Sequence, residues 1–126
     1  MSYTTAEVAG RSGLSADTLR YYEKIGLIEP PPRDPSGHRS YTEDDVAWVT
    51  FLLRLRSTGM PIRLMREYAD LRRIGPVTAE RRKDILIEHR EEIRLRMDEM
   101  QSFLTVLDDK ITNYAAIVAA TEGDTV

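Results

Sequence analysis

The sequence predicts a mainly α fold, on three observations. Two short helices are joined by a glycine turn near the N-terminus. A proline-rich stretch follows that can hold only a small hairpin. Near the C-terminus, roughly 40 residues run without Gly or Pro and carry an apolar side chain every seven positions. The 126 residues suit one compact domain with an extension, and 41% hydrophobic with 31% charged content fits a helix-rich globular chain.

The elements follow from local chemistry. Thr4 and Glu7 have capping-box spacing and open a first helix that runs to about Arg11 and stops at Ser12-Gly13. Ser15 offers an N-cap for a second helix from Ala16 to about Ile25, closed by Gly26. Leu27 to Arg33 and His38 to Thr42 read as two extended segments around Asp34-Pro35-Ser36-Gly37, the favoured pattern of a type I turn. Pro30, Pro31 and Pro32 cannot donate ladder hydrogen bonds, so the hairpin is expected to be small and edge-like. Thr42 caps a third helix, Glu43 to about Thr58, with Val46, Val49, Leu52, Leu53 and Leu55 on its apolar face. Gly59 breaks it, and Pro61 starts a fourth helix to about Ile74. Gly75-Pro76 marks the boundary of a first domain, residues 1–75. A long helix over 77–120 and a disordered tail over 121–126 complete the prediction.

The first two helices have the spacing of a helix-turn-helix. Ala9 is small enough for a close crossing, Gly13 can take the positive φ of the turn, and Leu19 faces the core. An ordinary αα-corner has the same spacing, so the exposed residues carry the distinction. Arg20, Tyr21 and Tyr22 are consecutive and fan across about 200° of the helix, so they cannot all be core. With Leu19 on the core face and Tyr22 sharing it in part, Arg20 and Tyr21 are left towards solvent. An arginine beside a tyrosine hydroxyl is a pair that bonds phosphate oxygens.

Composition excludes several function classes. The chain has no cysteine, which removes disulfides, thiolate nucleophiles, iron–sulfur clusters and zinc knuckles. His38 and His89 stand 51 positions apart, and no Gly-rich phosphate loop is present, so no catalytic set or metal site is expected and no cofactor. The N-terminal segment has neither a basic n-region nor an apolar h-region, and the longest apolar run, Ala115 to Ala120, is too short for a membrane span. A cytoplasmic protein without membrane partners is the expectation. Net charge is −3, with +1 over residues 1–73 and −4 over 74–126. Phosphate attraction would have to come from a few placed arginines rather than a basic field.

At this point a family resemblance becomes specific. The run Thr18-Leu19-Arg20-Tyr21-Tyr22-Glu23-Lys24-Ile25-Gly26-Leu27-Ile28 is followed by Pro30, Arg33, Ser36-Gly37-His38-Arg39-Ser40-Tyr41 and Glu43-Asp44-Asp45. Leu55-Arg56 and Gly59-Met60 continue it. Together these resemble the signature of MerR-type transcription regulators, from residue 3 to about 73. The resemblance implies a winged helix-turn-helix that binds an over-long promoter spacer, and bends and untwists it for RNA polymerase. It implies phosphate contacts by Arg20, Tyr21 and Tyr22, and flanking contacts by Arg33 and Arg39 of the wing and by Arg56. Ser15, Ala16, Asp17 and Thr18, at the start of the second helix, are the candidates for base edges. Asp17 fits either a cytosine amino group or the helix N-terminal dipole. His38 stands where many members have tyrosine, and fits a DNA contact or a structural wing residue equally.

The C-terminal tract carries a seam. Leu86, Ile93, Met100, Leu107 and Tyr114 recur every seven residues, interleaved with Arg90, Met97, Leu104, Ile111 and Val118. A helix ~60 Å long cannot fold its stripe back onto a small domain, so it needs a partner helix. Self-pairing as a homodimer is expected, and the resemblance implies an antiparallel coiled coil. Packing of the first part against the chain's own helices, with the rest frayed, is the other reading. A two-fold dimer implies a pseudo-palindromic operator.

Trp48, Phe51, Leu55-Arg56-Ser57-Thr58-Gly59-Met60-Pro61-Ile62 and Leu107-Asp108-Asp109-Lys110-Ile111 resemble, within the family, the aldehyde- and electrophile-responsive group most. That group commonly has a cysteine before the Leu-Arg pair, where this chain has Arg54, so a thiol switch is excluded. Only about eight residues follow the seam, which predicts no separate ligand-binding domain. A small-molecule effector would be left with an apolar pocket near the helix junction, around Trp48 or Tyr68, although both also fit plain core. The competing reading from another class is a dimeric coiled-coil adaptor that binds protein, supported by the near-neutral charge.

Overall fold

The computed structural model of the chain describes residues 2–123. Five α-helices follow one another: α1 (Thr5–Ser12), α2 (Ala16–Lys24), α3 (Glu43–Ser57), α4 (Ile62–Ile74) and α5 (Ala79–Gly123), with a 3₁₀ turn at Pro76–Thr78. One compact unit ends at Leu86 and a second begins at Ile87.

The helix starts are set by side-chain caps. Thr4 Oγ1 accepts from Glu7 N at 3.1 Å while Glu7 Oε1 accepts from Thr4 N at 3.1 Å, so two orphan donors of α1 are satisfied reciprocally. Ser15 Oγ accepts from Thr18 N at 3.1 Å to open α2. Thr42 and Asp45 repeat the box at α3. Gly13 ends α1 at φ 80°, donating to the Ala9 carbonyl at 3.0 Å. That left-handed backbone lets α2 turn back onto α1, and an L side chain there would be strained.

The wing is shorter than the sequence predicts. Among the described residues there is no strand, only two isolated antiparallel bridges, Arg33 with Arg39 and Tyr3 with Tyr41. The three prolines have no N–H to extend a ladder, although the Pro32 carbonyl still accepts from Ser40 N at 2.8 Å. The turn is held by Asp34, whose carbonyl accepts from Gly37 N at 2.9 Å. Its carboxylate accepts from Ser36 N at 2.9 Å and His38 N at 3.0 Å. Leu27 and Ile28, expected in the first extended segment, instead close α2, both N–H groups donating to the Tyr22 carbonyl, and are buried.

The core of the first unit is formed by Val8 of α1, Leu19 and Tyr22 of α2, Leu27 and Ile28, Val49, Leu52 and Leu55 of α3, and Met65 and Ala69 of α4. Each large side chain here is 0–4% exposed, burial worth about 1.5–3 kcal/mol apiece. Pro61 is the N-cap of α4 rather than its first helical residue. The unit also extends past the expected boundary at residue 75. Ile85 of α5 is fully buried in this core, and Leu86, expected on the dimer seam, packs against it. Arg81 of α5 bonds Glu67 of α4 at 2.9 Å.

The second unit is the remainder of α5. The helix starts at Ala79 rather than residue 77, and it continues to Gly123, so residues 121–123, expected in a tail, are helical. The rest of that expected tail, 124–126, lies outside the described residues.

Candidate nucleic-acid interface

On α2 the sequence-predicted residues divide into two sets. Ser15, Asp17, Arg20 and Tyr21 are exposed, and Ala16 and Thr18 are half-buried. Tyr21 is 50% exposed, whereas Tyr22 is 4% exposed and belongs to the core. Tyr22 thus departs from the expectation of a partly shared face: Leu19 and Tyr22 lie three apart, and one turn brings them to the same side. Burial raises the Tyr22 pKa, with the Arg56 cation opposing the rise, so its hydroxyl stays a neutral hydrogen-bonding group. Asp17, aimed by sequence reasoning at a base edge, forms an ion pair with Arg20 at 3.1 Å. The side chains are 94% and 58% exposed, so solvent screening leaves the pair weak and open to exchange for another partner.

The wing turns back beside α2. A cleft of about 300 Å³ is bounded by Arg20 of α2, by Arg33, His38 and Arg39 of the wing, and by Thr4 and Thr5 at the start of α1. Four of the residues singled out in the sequence, from two separate segments, therefore meet in one place. Arg56 lines no part of it. Within the wing, Arg33 donates to the Gly37 carbonyl at 2.6 Å, and His38 Nδ1 lies 3.9 Å from Asp34. Three guanidinium groups beside a helix N-terminus make a seat whose chemistry suits a phosphodiester oxygen.

Glu23, which joins α2 to the wing, is a residue that sequence reasoning passed over. Its side chain is 7% exposed and accepts from Arg39 Nε at 3.1 Å and from the Tyr41 hydroxyl at 2.7 Å. Burial, then the Glu23 hydrogen bond, push the Tyr41 pKa up to about 12. The signal was present in the spacing: Glu23 follows Leu19 by four positions, so it lies on the core side of α2, where a carboxylate needs partners.

In the second unit, Met97, Met100, Leu104, Leu107, Ile111, Tyr114 and Val118 of the seam are each 48–70% exposed. Phe103, Val106 and Ile117 are also exposed and widen the face beyond the heptad stripe. Ile93 is half-buried.

Trp48 and Tyr68 are 9% exposed and stack with centroids 5.8 Å apart. The indole N–H donates to the Leu27 carbonyl at 2.9 Å, and the Arg72 guanidinium lies 4.2 Å over the ring. A cleft of about 410 Å³ reaches Trp48, but Glu29, Asp45, Arg72 and Arg73 share its lining, so it is charged rather than apolar as expected.

Comparison with known proteins decides the family. The model for the MerR family regulatory protein matches residues 4–41, and that for MerR, DNA binding matches residues 46–110. The chain belongs to the MerR family. It is 34% identical to an HTH-type transcriptional regulator of Haemophilus influenzae over 90% of this chain and 84% of that one. It is 44% identical to the HTH-type transcriptional regulator AdhR of Bacillus subtilis over 70% of this chain and 63% of that one. Among solved structures, a MerR family regulator from Listeria monocytogenes superposes with a TM-score of 0.88 at 40% identity, covering 95% of this chain and 92% of that one. HiNmlR, a MerR family regulator lacking the sensor domain and bound to promoter DNA, superposes with a TM-score of 0.83 at 34% identity, covering 90% and 86%. The MerR assignment makes the chain a DNA-binding transcription regulator of mainly helical fold, and the protein-binding adaptor reading is not favoured. Among the described residues, no helix is long and apolar enough to cross a membrane.

Proposed function

We propose that the chain acts as a homodimer on a pseudo-palindromic promoter, each copy laying α2 in a major groove and its wing along the flanking backbone. The observation that carries this reading is the cleft where Arg20, Arg33, His38 and Arg39 converge, with Tyr21 exposed on the same helix as Arg20. These groups would hold phosphates, while Ser15, Ala16, Asp17 and Thr18 would face the bases. Arg56 would add a backbone contact beyond the cleft. Tyr22 would contribute its hydroxyl alone, since its ring is core.

Dimerisation would bury the apolar face of α5, and two-fold symmetry would then set the half-site spacing. As in the family it belongs to, the dimer would distort an over-long spacer and so act on RNA polymerase indirectly, through the DNA. Without cysteine, any small-molecule effector would act without forming a thiol adduct, and the cleft beside Trp48 is a place for it in the first unit.

A salt titration on inverted-repeat duplexes tests the reading. Affinity should fall steeply with salt, and Arg20→Ala should weaken binding to all sequences while lowering the salt slope by about 1. Affinity insensitive to salt, or to the loss of Arg20, would contradict it.

A further inference from the structure

Arg39 is unlike the other cations of the cleft because a buried group holds it. Its side chain is 28% exposed, and its Nε donates to a Glu23 carboxylate that is 7% exposed. The two residues are 16 positions apart, one on α2 and one on the returning limb of the wing. Tyr41, on the same limb, donates to the other oxygen of that carboxylate and exchanges both backbone hydrogen bonds with Tyr3 at 2.8 Å. Both oxygens of Glu23 are thereby engaged, the wing and α2 are tied at one carboxylate, and Tyr41 links that tie to Tyr3 ahead of α1. A guanidinium has five N–H donors in a rigid plane, so fixing Nε fixes the direction of the remaining four.

We infer that Glu23 is a positioning residue for DNA binding: it holds Arg39 by Nε at the edge of the cleft so that its remaining N–H groups meet a backbone phosphate. The inference rests on the promoter-binding reading above. Its physical content is an inversion of simple electrostatics. Glu23 is an anion next to a surface that must attract a polyanion, and its removal alone should tighten DNA binding by relieving repulsion. If Glu23 instead aims Arg39, its removal weakens binding, because a loose guanidinium must be ordered again at the phosphate.

The test measures affinity and salt dependence on a duplex that the wild-type chain selects from a random-sequence pool. Selection of no duplex by the wild type overturns the promoter-binding reading itself, separately from this one. Glu23→Gln keeps the size and an acceptor for Tyr41 but drops the charge. Measured where circular dichroism shows the variant folded, it should bind about tenfold more weakly, the scale of one charge-assisted hydrogen bond. Its salt slope should fall by about 1, as for one lost phosphate contact. Arg39→Gln should show the same two changes, and the double variant should be no weaker than Arg39→Gln alone. Should Glu23→Gln fail to fold, Arg39→Lys keeps the charge without the fork and should show the loss in its place. Binding by the tested variant as tight as the wild type, or tighter, overturns the proposal. So do an unchanged salt slope in a folded Glu23→Gln, which marks a purely structural role, and losses that multiply in the double variant.

Discussion

The two units of the chain treat apolar side chains in opposite ways. Up to Leu86, the large apolar residues of α1 to α4 are 0–9% exposed wherever they face inward. From Ile87 onward, Leu95, Met97, Met100, Phe103, Leu104 and their successors are about half exposed or more. The first unit closes its own core, whereas the second presents an amphipathic surface that a single helix cannot cover. Periodicity alone does not separate these cases, since α3 and α5 both carry repeating apolar positions. What separates them is whether the rest of the chain supplies a second layer.

Substitutions in the two regions should therefore fail differently. Leu104→Asp, in the middle of the exposed face, is expected to shift the chain to monomer and cut affinity for an inverted-repeat duplex at least a hundredfold, while the fluorescence of Trp48, the single tryptophan and a residue of the first unit, persists. Light scattering with a binding titration checks both. Leu52→Ala, at a fully buried site of α3, should cost about 2–5 kcal/mol of stability without changing the dimer stoichiometry once folded. Denaturant unfolding measures this. If Leu104→Asp unfolded the first unit, or Leu52→Ala gave a folded monomer, the division between the units would be wrong.

A smaller effect concerns the join between α2 and the wing. In the folded chain the Tyr41 pKa is raised from an ordinary 10.0 to about 12. The folded state then holds a proton that the unfolded state releases, so stability should fall as pH rises from about 10 to 12. Tyr3 and Tyr22 are shifted in the same direction and add to the slope. Tyr41→Phe should flatten this alkaline loss, as followed by the unfolding midpoint against pH. A slope unchanged by that substitution would place the titration elsewhere.

Much of the first unit was legible because its signals are local. Thr4 with Glu7, Ser15 and Thr42 announce the helix starts, and Gly13 announces the turn. The Asp34 turn was legible in the same way. The exposed side of α2 followed from counting which faces Leu19 left free, which placed Arg20 and Tyr21 towards solvent as found but left too much of Tyr22 outside the core. The pairing of Glu23 with Arg39 and Tyr41 was not legible, since the partners are 16 and 18 positions away and meet only when the wing folds back. The wing's extent was overestimated for a related reason: prolines announce that a ladder is weak, but not that it shrinks to one bridge. The unit boundary slipped from residue 75 to Leu86 because Ile85 and Leu86 continue a helical pattern without a break, and which core they join is a tertiary fact.

The central claim is that α5 brings two copies of α2 to one duplex, and sedimentation of the chain with an inverted-repeat duplex tests it directly. Two chains per duplex, present at low ionic strength and released as salt rises, is the result this account predicts. One chain per duplex, or a polypeptide that sediments as a monomer apart from the DNA, would contradict it.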